Sequence, residues 1–347
     1  MRVLIASTNV TFVKGSGTRI VEDLRAELVA RGFEADTVCL PIHPAWADAA
    51  EQTTALRLLD LTETCGDRID LLITVRHPAH ALRHPNKVAW FLHHNRSAYD
   101  LWGTKWGGIP DDPVGRHHRD MIVRADDTYL RECRKVYTAS GRVAGQVGEY
   151  NKLDPDGVLY PPLSRNHPFH PGPFGDYLFC AGRLDPIKRQ DLAIDALKYA
   201  PAVRLVIAGE PDRDEYRTEL ERRAGEAGVA DRVEFVGWVS EERKAELMAG
   251  CSGALSLPYD EEYGYVALEA FHAGKPVITL SDSGGSLELV ENGHNGYVSE
   301  PDAGALGEAM TRLWRDRREA ARLGANAART PADRRIDWDT VIEGLTA

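Results

Sequence analysis

The sequence predicts an α/β protein of two Rossmann-like β/α/β domains facing each other across a cleft. Three observations carry that expectation. Short β-branched runs alternate with longer helical patterns, the order that builds parallel sheets. The alternation starts afresh near Tyr177. Between the two series lies a proline-rich stretch, Tyr160-Pro161-Pro162-Leu163 to His170-Pro171-Gly172-Pro173, which suits an interdomain linker. A chain of 347 residues has the length for two such domains, expected at 1–163 and 174–328.

Taken in order, the first series opens with a strand at Val3–Ala6 and a loop, Lys14-Gly15-Ser16-Gly17. A helix from Thr18 to Arg31 follows, because Ile20, Val21, Leu24 and Leu28 recur on one face and Gly32 stops the pattern. Strands are expected at Ala35–Cys39, Leu71–Thr74, Val88–Leu92 and Val136–Thr138. The second series begins with Tyr177–Gly182 and a helix over Gln190–Tyr199, then strands at Arg204–Ala208, Val233–Val236, Ala254–Leu257 and Val277–Leu280. Helices are expected at Val266–Ala273 and, in one piece, at Ala303–Arg322.

Composition narrows the function. With 43% apolar and 27% charged residues the chain reads as ordinary and globular. A formal charge of -11 argues against a protein that lives by neutralising nucleic-acid phosphates. The N-terminal apolar run is too short for a signal-peptide core and no long apolar run occurs, so a cytoplasmic protein without stable membrane insertion is expected. The five cysteines, Cys39, Cys65, Cys133, Cys180 and Cys251, are scattered singly and read as reduced, mostly buried thiols.

Ligands of such sheets sit beyond the carboxyl ends of the strands, and four charged or glycine-bearing segments fall there. In Gly182-Arg183-Leu184-Asp185-Pro186-Ile187-Lys188 two cations on one loop can turn toward a polyanion, Arg183 as a fork and Lys188 as a point charge; a solvated loop with an Asp185 ion pair is the plainer alternative. The Lys14–Thr18 loop lets backbone amides approach an anion at a helix start, or is only a turn. Pro258 to Ala270 places Glu261 in a loop and Glu269 inside a helix, where a carboxylate needs a donor: a sugar hydroxyl, or a lysine or arginine. His93, in Phe91-Leu92-His93-His94-Asn95-Arg96, is either a ligand contact or a satisfied structural histidine. His77, His80 and His84 are not expected to hold zinc, since no helper carboxylate lies nearby and Pro78 and Pro85 bracket the segment.

The order of these motifs resembles the nucleotide-sugar-binding half of family-four glycosyltransferases, retaining enzymes of the GT-B fold. The likeness is carried by Ala181–Lys188, Val233–Val239, Glu261–Glu269 with Gly264, Ala273-Gly274-Lys275-Pro276-Val277 and Gly284-Gly285. It implies that Arg183 and Lys188 hold a donor diphosphate, that Val239 meets the base through its backbone, and that Glu269 takes the ribose hydroxyls. Glu261, with the backbone of Tyr263, Gly264, Tyr265 and Val266 behind it, would address the sugar and phosphates; Gly17 would approach the phosphates and His93 the sugar. The resemblance further implies that residues 329–347, with Trp338–Leu345, pack back on the first domain.

The expected function is therefore retaining transfer of a sugar from a nucleotide diphosphate, UDP or GDP, to a hydroxyl of a saccharide or natural-product acceptor. Catalysis would fall to Arg183, Lys188, Glu261 and His93, with no cofactor and no metal, since no Asp-x-Asp is seen at a strand end. Trp90, Tyr99, Trp102 and Trp106 offer flat faces on which an acceptor sugar could stack. Two rivals remain: a glycoside hydrolase or phosphorylase using Glu261 and Glu269 as paired carboxylates, and a non-catalytic nucleotide-sugar-binding module.

Overall fold

In the computed structural model, which describes residues 1–12, 16–43, 45–211 and 214–347, the first apolar run becomes β1 (Arg2–Asn9). Ile5, Ala6, Ser7 and Thr8 are all buried, as befits a strand covered on both faces. Helix α1 (Ser16–Ala30) sets Ile20, Val21, Leu24 and Leu28 into the core over β1 and leads to β2 (Glu34–Pro41), which pairs parallel with β1 in the register Val3↔Ala35. Then come α2 (Ala49–Leu56), a small antiparallel hairpin of β3 (Glu63–Thr64) and β4 (Asp67–Arg68), β5 (Leu71–Thr74) and β6 (Lys87–Phe91). Helix α3 (Pro113–Leu130), β7 (Lys135–Thr138), α4 (Gly141–Asn151) and β8 (Gly157–Val158) complete a parallel sheet of order β2-β1-β5-β6-β7-β8.

A second sheet is built the same way from β9 (Leu178–Ala181), α5 (Gln190–Ala196), β10 (Leu205–Ala208), α6 (Asp214–Glu226) and β11 (Val233–Gly237). It continues through α7 (Glu241–Gly250), β12 (Gly253–Leu255), α8 (Tyr265–His272), β13 (Val277–Leu280), α9 (Ser286–Leu289) and β14 (Gly296–Ser299). Helices α10 (Ala303–Arg315) and α11 (Arg317–Asp333) close it. Its strands lie parallel in the order β11-β10-β9-β12-β13-β14, so the direction of winding reverses between β9 and β12. Crevices at such reversals are where open α/β sheets take ligands.

The two units comprise Met1–Ser164 with Ile336–Ala347, and Arg165–Arg335. The last helix, α12 (Trp338–Thr346), thus belongs to the first unit: Trp338, Val341, Ile342 and Leu345 join its core, and the Trp338 indole N–H donates to the Leu163 carbonyl at 2.9 Å. In the second unit the buried Lys275 donates to the carbonyls of Gly172 and Pro173 at 2.9 and 2.8 Å and lies 4.1 Å over the Phe174 ring, so this part of the proline-rich segment is pinned.

Several expectations are corrected. The helix expected over Ala303–Arg322 breaks at Asp316, whose carboxylate instead caps α11 by accepting from the amides of Arg318 and Glu319. Cys39 and Cys65 are exposed and only Cys180 and Cys251 are fully buried. Trp90 is wholly buried with its N–H on the Leu159 carbonyl, and Tyr99 is buried with its hydroxyl on Asp126, so neither ring offers a face to a ligand.

Candidate active site

The loops at the reversal point carry the charged motifs. After β9, Gly182 leads into Arg183 and a short 3-10 turn, Pro186–Lys188, whose start is capped by Asp185 accepting from the Ile187 amide at 3.0 Å. The Arg183 guanidinium is half-exposed and lies 3.1 Å from the Asp185 carboxylate, so the expected local ion pair does form. Lys188 at the end of the turn donates its ammonium to Glu261, on the loop after β12. The two motif residues that the resemblance assigns to one donor thus meet, although 73 positions separate them.

That second loop is held from behind by a third. The amides of Asp260 and Gly285 donate to the carbonyls of Asp282 and Glu261 at 2.9 and 2.6 Å, and Glu261 bridges to Gly284 as an isolated parallel pair. The fit requires glycine: a Cβ on Gly284 or Gly285 would stand 2.5 Å from the Glu261 or Glu262 carbonyl oxygen. Gly264, at φ +143, starts α8 against Ser286, while the rings of Tyr263 and Tyr265 pack edge to face at 5.3 Å. Tyr265 and Val266 form the first turn of α8 and are only partly buried, so their amides stand at the positive end of the helix.

Glu269, one turn further along α8, is buried and accepts from the Lys244 ammonium of α7 at 2.7 Å. The alternative that the sequence left open for it, a lysine partner, is therefore realised. Lys244 escapes a reading of sequence because helix packing alone brings it to Glu269 from 25 positions away. Val239 follows β11, just before Ser240 caps α7.

In the first unit, His93 follows β6 and donates from Nδ1 to the His94 carbonyl at 2.8 Å, which leaves Nε2 as the acceptor. Burial pushes its pKa down to about 4, so the ring is neutral at pH 7. His94 is buried, bonds to Asn151 at 2.8 Å and is likewise pushed down to about 4 by burial. Trp102 and Trp106 remain partly exposed, under Arg119 and Lys105 respectively. Gly17 lies in the first turn of α1, while Lys14 and Gly15 of its loop lie outside the described residues.

Two expectations about metals change. His77 and His80 do have a carboxylate neighbour, Asp126 of α3, with both Nε2 atoms on its Oδ1 at 3.0 and 2.9 Å and the Tyr99 hydroxyl on Oδ2. Burial alone would raise the Asp126 carboxyl, but the two imidazoles outweigh it and hold the group well below the usual carboxylate range. The His84 ring is turned elsewhere, to the Asn86 and Ile69 carbonyls. An Asp-x-Asp does occur beyond β10, Asp212-Arg213-Asp214, of which Asp212 and Arg213 lie outside the described residues. A surface hollow of about 430 Å³ beside the β9 loop is lined by Asp185, Glu215 and Glu219, carboxylates that would repel a diphosphate.

Two parallel-sheet units of this kind, with cationic and acidic loops at a reversal point, define the class as GT-B-type α/β proteins. Residues 174–330 match the family described as glycosyl transferases group 1. An alpha-1,3/1,6-mannosyltransferase of Dictyostelium discoideum is 32% identical over 137 residues, 38% of this chain and 32% of the relative. A D-inositol 3-phosphate glycosyltransferase of Stackebrandtia nassauensis is 31% identical over 179 residues, 48% of this chain and 39% of the relative. The matched stretch therefore spans well under half the length of these relatives. Solved structures share the fold along the whole chain. Sucrose-phosphate synthase of Thermosynechococcus elongatus covers 99% of this chain and 97% of its own at a TM-score of 0.80 and 18% identity. Alr3699/HepE of Anabaena, in complex with UDP-glucose, gives 99%, 98%, 0.73 and 18%. Among the described residues no helix is long and apolar enough to cross a membrane.

Proposed function

We propose that the chain is a retaining glycosyltransferase that moves a sugar from a nucleotide diphosphate to a hydroxyl of a saccharide or small-molecule acceptor. The observation that carries the reading is the meeting of Lys188 and Glu261, beside Arg183, at the β9/β12 reversal point. In glycosyl transfer the bond from the sugar's anomeric carbon to the diphosphate breaks while negative charge builds on the leaving phosphate. Arg183, Lys188 and the amides at the start of α8 would bind that charge, which falls most strongly on them in the transition state. Glu261 would exchange its lysine partner for hydroxyls of the sugar, and Glu269 would grip the ribose. His93 of the first unit, neutral and with Nε2 free of a proton, is suited to accept a hydrogen bond from a hydroxyl. The new bond would form on the face the diphosphate leaves, its oxygen taking the acceptor's proton, so that anomeric configuration is retained.

The hydrolase or phosphorylase alternative asks Glu261 and Glu269 to act as an acid and base flanking one bond. Each instead stands against its own lysine, an arrangement that suits binding hydroxyls more than delivering a proton. One relative's printed name gives mannosyl as the transferred group, another's gives an inositol phosphate, and one neighbour is bound to UDP-glucose, so UDP- and GDP-sugars are the donors to try first. A thermal-shift panel of UDP, GDP, ADP and their glucose conjugates, with and without EDTA, tests the donor reading. A ligand at a hundred times its Kd stabilises the native state by about 2.7 kcal/mol. A rise with at least one nucleotide, unchanged by EDTA, is expected; no rise with any of them overturns it.

A further inference from the structure

Arg189 directly follows Lys188, yet neither the motif nor the resemblance gives it a role. Its backbone sits at φ +56, a left-handed conformation natural to glycine and unusual for a bulky residue, so something other than local preference keeps an arginine there. Its side chain turns inward and the residue is only 9% exposed.

The guanidinium reaches two further loops at once. Nε donates to the Leu257 carbonyl at 2.7 Å and Nη2 to the Pro258 carbonyl at 2.7 Å, both on the β12 loop. Nη1 and Nη2 grip the two oxygens of Asp282, on the β13 loop, at 2.8 and 2.7 Å. Ser283 completes the knot by donating to the same Pro258 carbonyl at 2.8 Å, and the Tyr259 amide returns to Ile187 on the β9 loop at 2.8 Å. One side chain thereby ties together the loops after β9, β12 and β13. Only a planar fork with donors along two edges can satisfy two carbonyls and a bidentate carboxylate simultaneously; a lysine offers three donors from a single atom.

We propose that Arg189 is a positioning residue that fixes Lys188 and Glu261 in register with one another, with Asp282 as its anchor. The inference rests on the donor reading above: the register matters because a diphosphate and its sugar would span those two residues. A strained backbone at 189 is then the consequence of aiming the fork inward while Lys188 is kept at the mouth of the loop.

The test compares the wild-type chain with Arg189→Gly, Arg189→Lys, Asp282→Asn and the Gly/Asn double variant. Glycine suits φ +56, so Arg189→Gly removes the knot without adding backbone strain, and Asp282→Asn is the milder second variant. Nucleotide release is followed with whichever of UDP-, GDP- and ADP-glucose the wild type turns over, alongside hydrogen exchange at the amides of 258–263. We expect kcat to fall at least ten-fold in Arg189→Gly and in Asp282→Asn with a smaller change in KM, no further loss in the double variant, and no recovery of kcat with Arg189→Lys. Exchange at 258–263 should quicken while β9 and β10 stay protected. Unchanged kcat, or losses that merely track a fall in Tm and faster exchange throughout the unit, would overturn the proposal. Should the wild type turn over no donor, the transferase reading fails, and the exchange data alone still decide whether Arg189 holds the loops.

Discussion

Lys188 and Glu261 show how much a strand-end charge reveals when read in context. Both were visible in the sequence because each sits in a short polar loop between a buried strand and a helix, where a solvated charge has no structural reason to be grouped with glycines. Their pairing was not visible, since it depends on β9 and β12 lying side by side. The same holds for Lys244 on Glu269 and for Asp126 between His77 and His80, partners supplied by other helices. Arg189 carries no such signal, because its role lies in where its side chain turns and a left-handed backbone leaves no mark in the sequence beside it. Lys188→Ala should lower kcat for donor turnover by about 10²–10³-fold, the usual effect of deleting one donor to a charge that develops in the transition state. Steady-state release of nucleotide diphosphate measures it, and a drop below three-fold would remove Lys188 from the machinery.

Elements were legible where periodicity is strong. The strands at Leu71–Thr74 and Val277–Leu280 and the face of α1 follow directly from their apolar patterns. Two-residue β8 carries too little pattern to stand out, and the α10/α11 break at Asp316 was hidden by apolar spacing that continues through it. Helix α12 is the most informative element for stability, since it closes the core of the unit in which the chain began. Trp338 is 4% exposed and packs at 6.2 Å, edge to face, on Trp90. Trp338→Ala should cost the first unit about 3–5 kcal/mol, the range for emptying a large aromatic from a core. In urea this should appear as early unfolding of the first unit with the second unaltered. A midpoint that does not move would mean that α12 is dispensable.

At the scale of the molecule, the repeated strand–helix grammar disclosed two α/β units, whereas the strand order within each sheet had to come from structure. Three histidines, His94 buried and His93 and His272 partly so, give both units a shared pH response. Burial pushes His93 and His94 in the first unit and His272 in the second from an ordinary 6.5 to about 4. Between those values the unfolded chain takes up protons that the folded chain refuses, so stability is full above pH 6.5 and is lost as pH falls toward 4. Urea midpoints across that range should decline together in both units, and a flat profile would contradict the buried, neutral assignment. We propose more specifically that Arg183 and Lys188 would bind and release a donor's diphosphate at the β9/β12 reversal point. The direct measurement is nucleotide diphosphate release from UDP-, GDP- and ADP-glucose by the wild type and by Arg183→Ala, in EDTA, with folding of both checked by Tm. Slow release from at least one donor is expected of the wild type, with its loss in Arg183→Ala at similar Tm; release that persists in Arg183→Ala, or that no donor gives, would overturn the assignment.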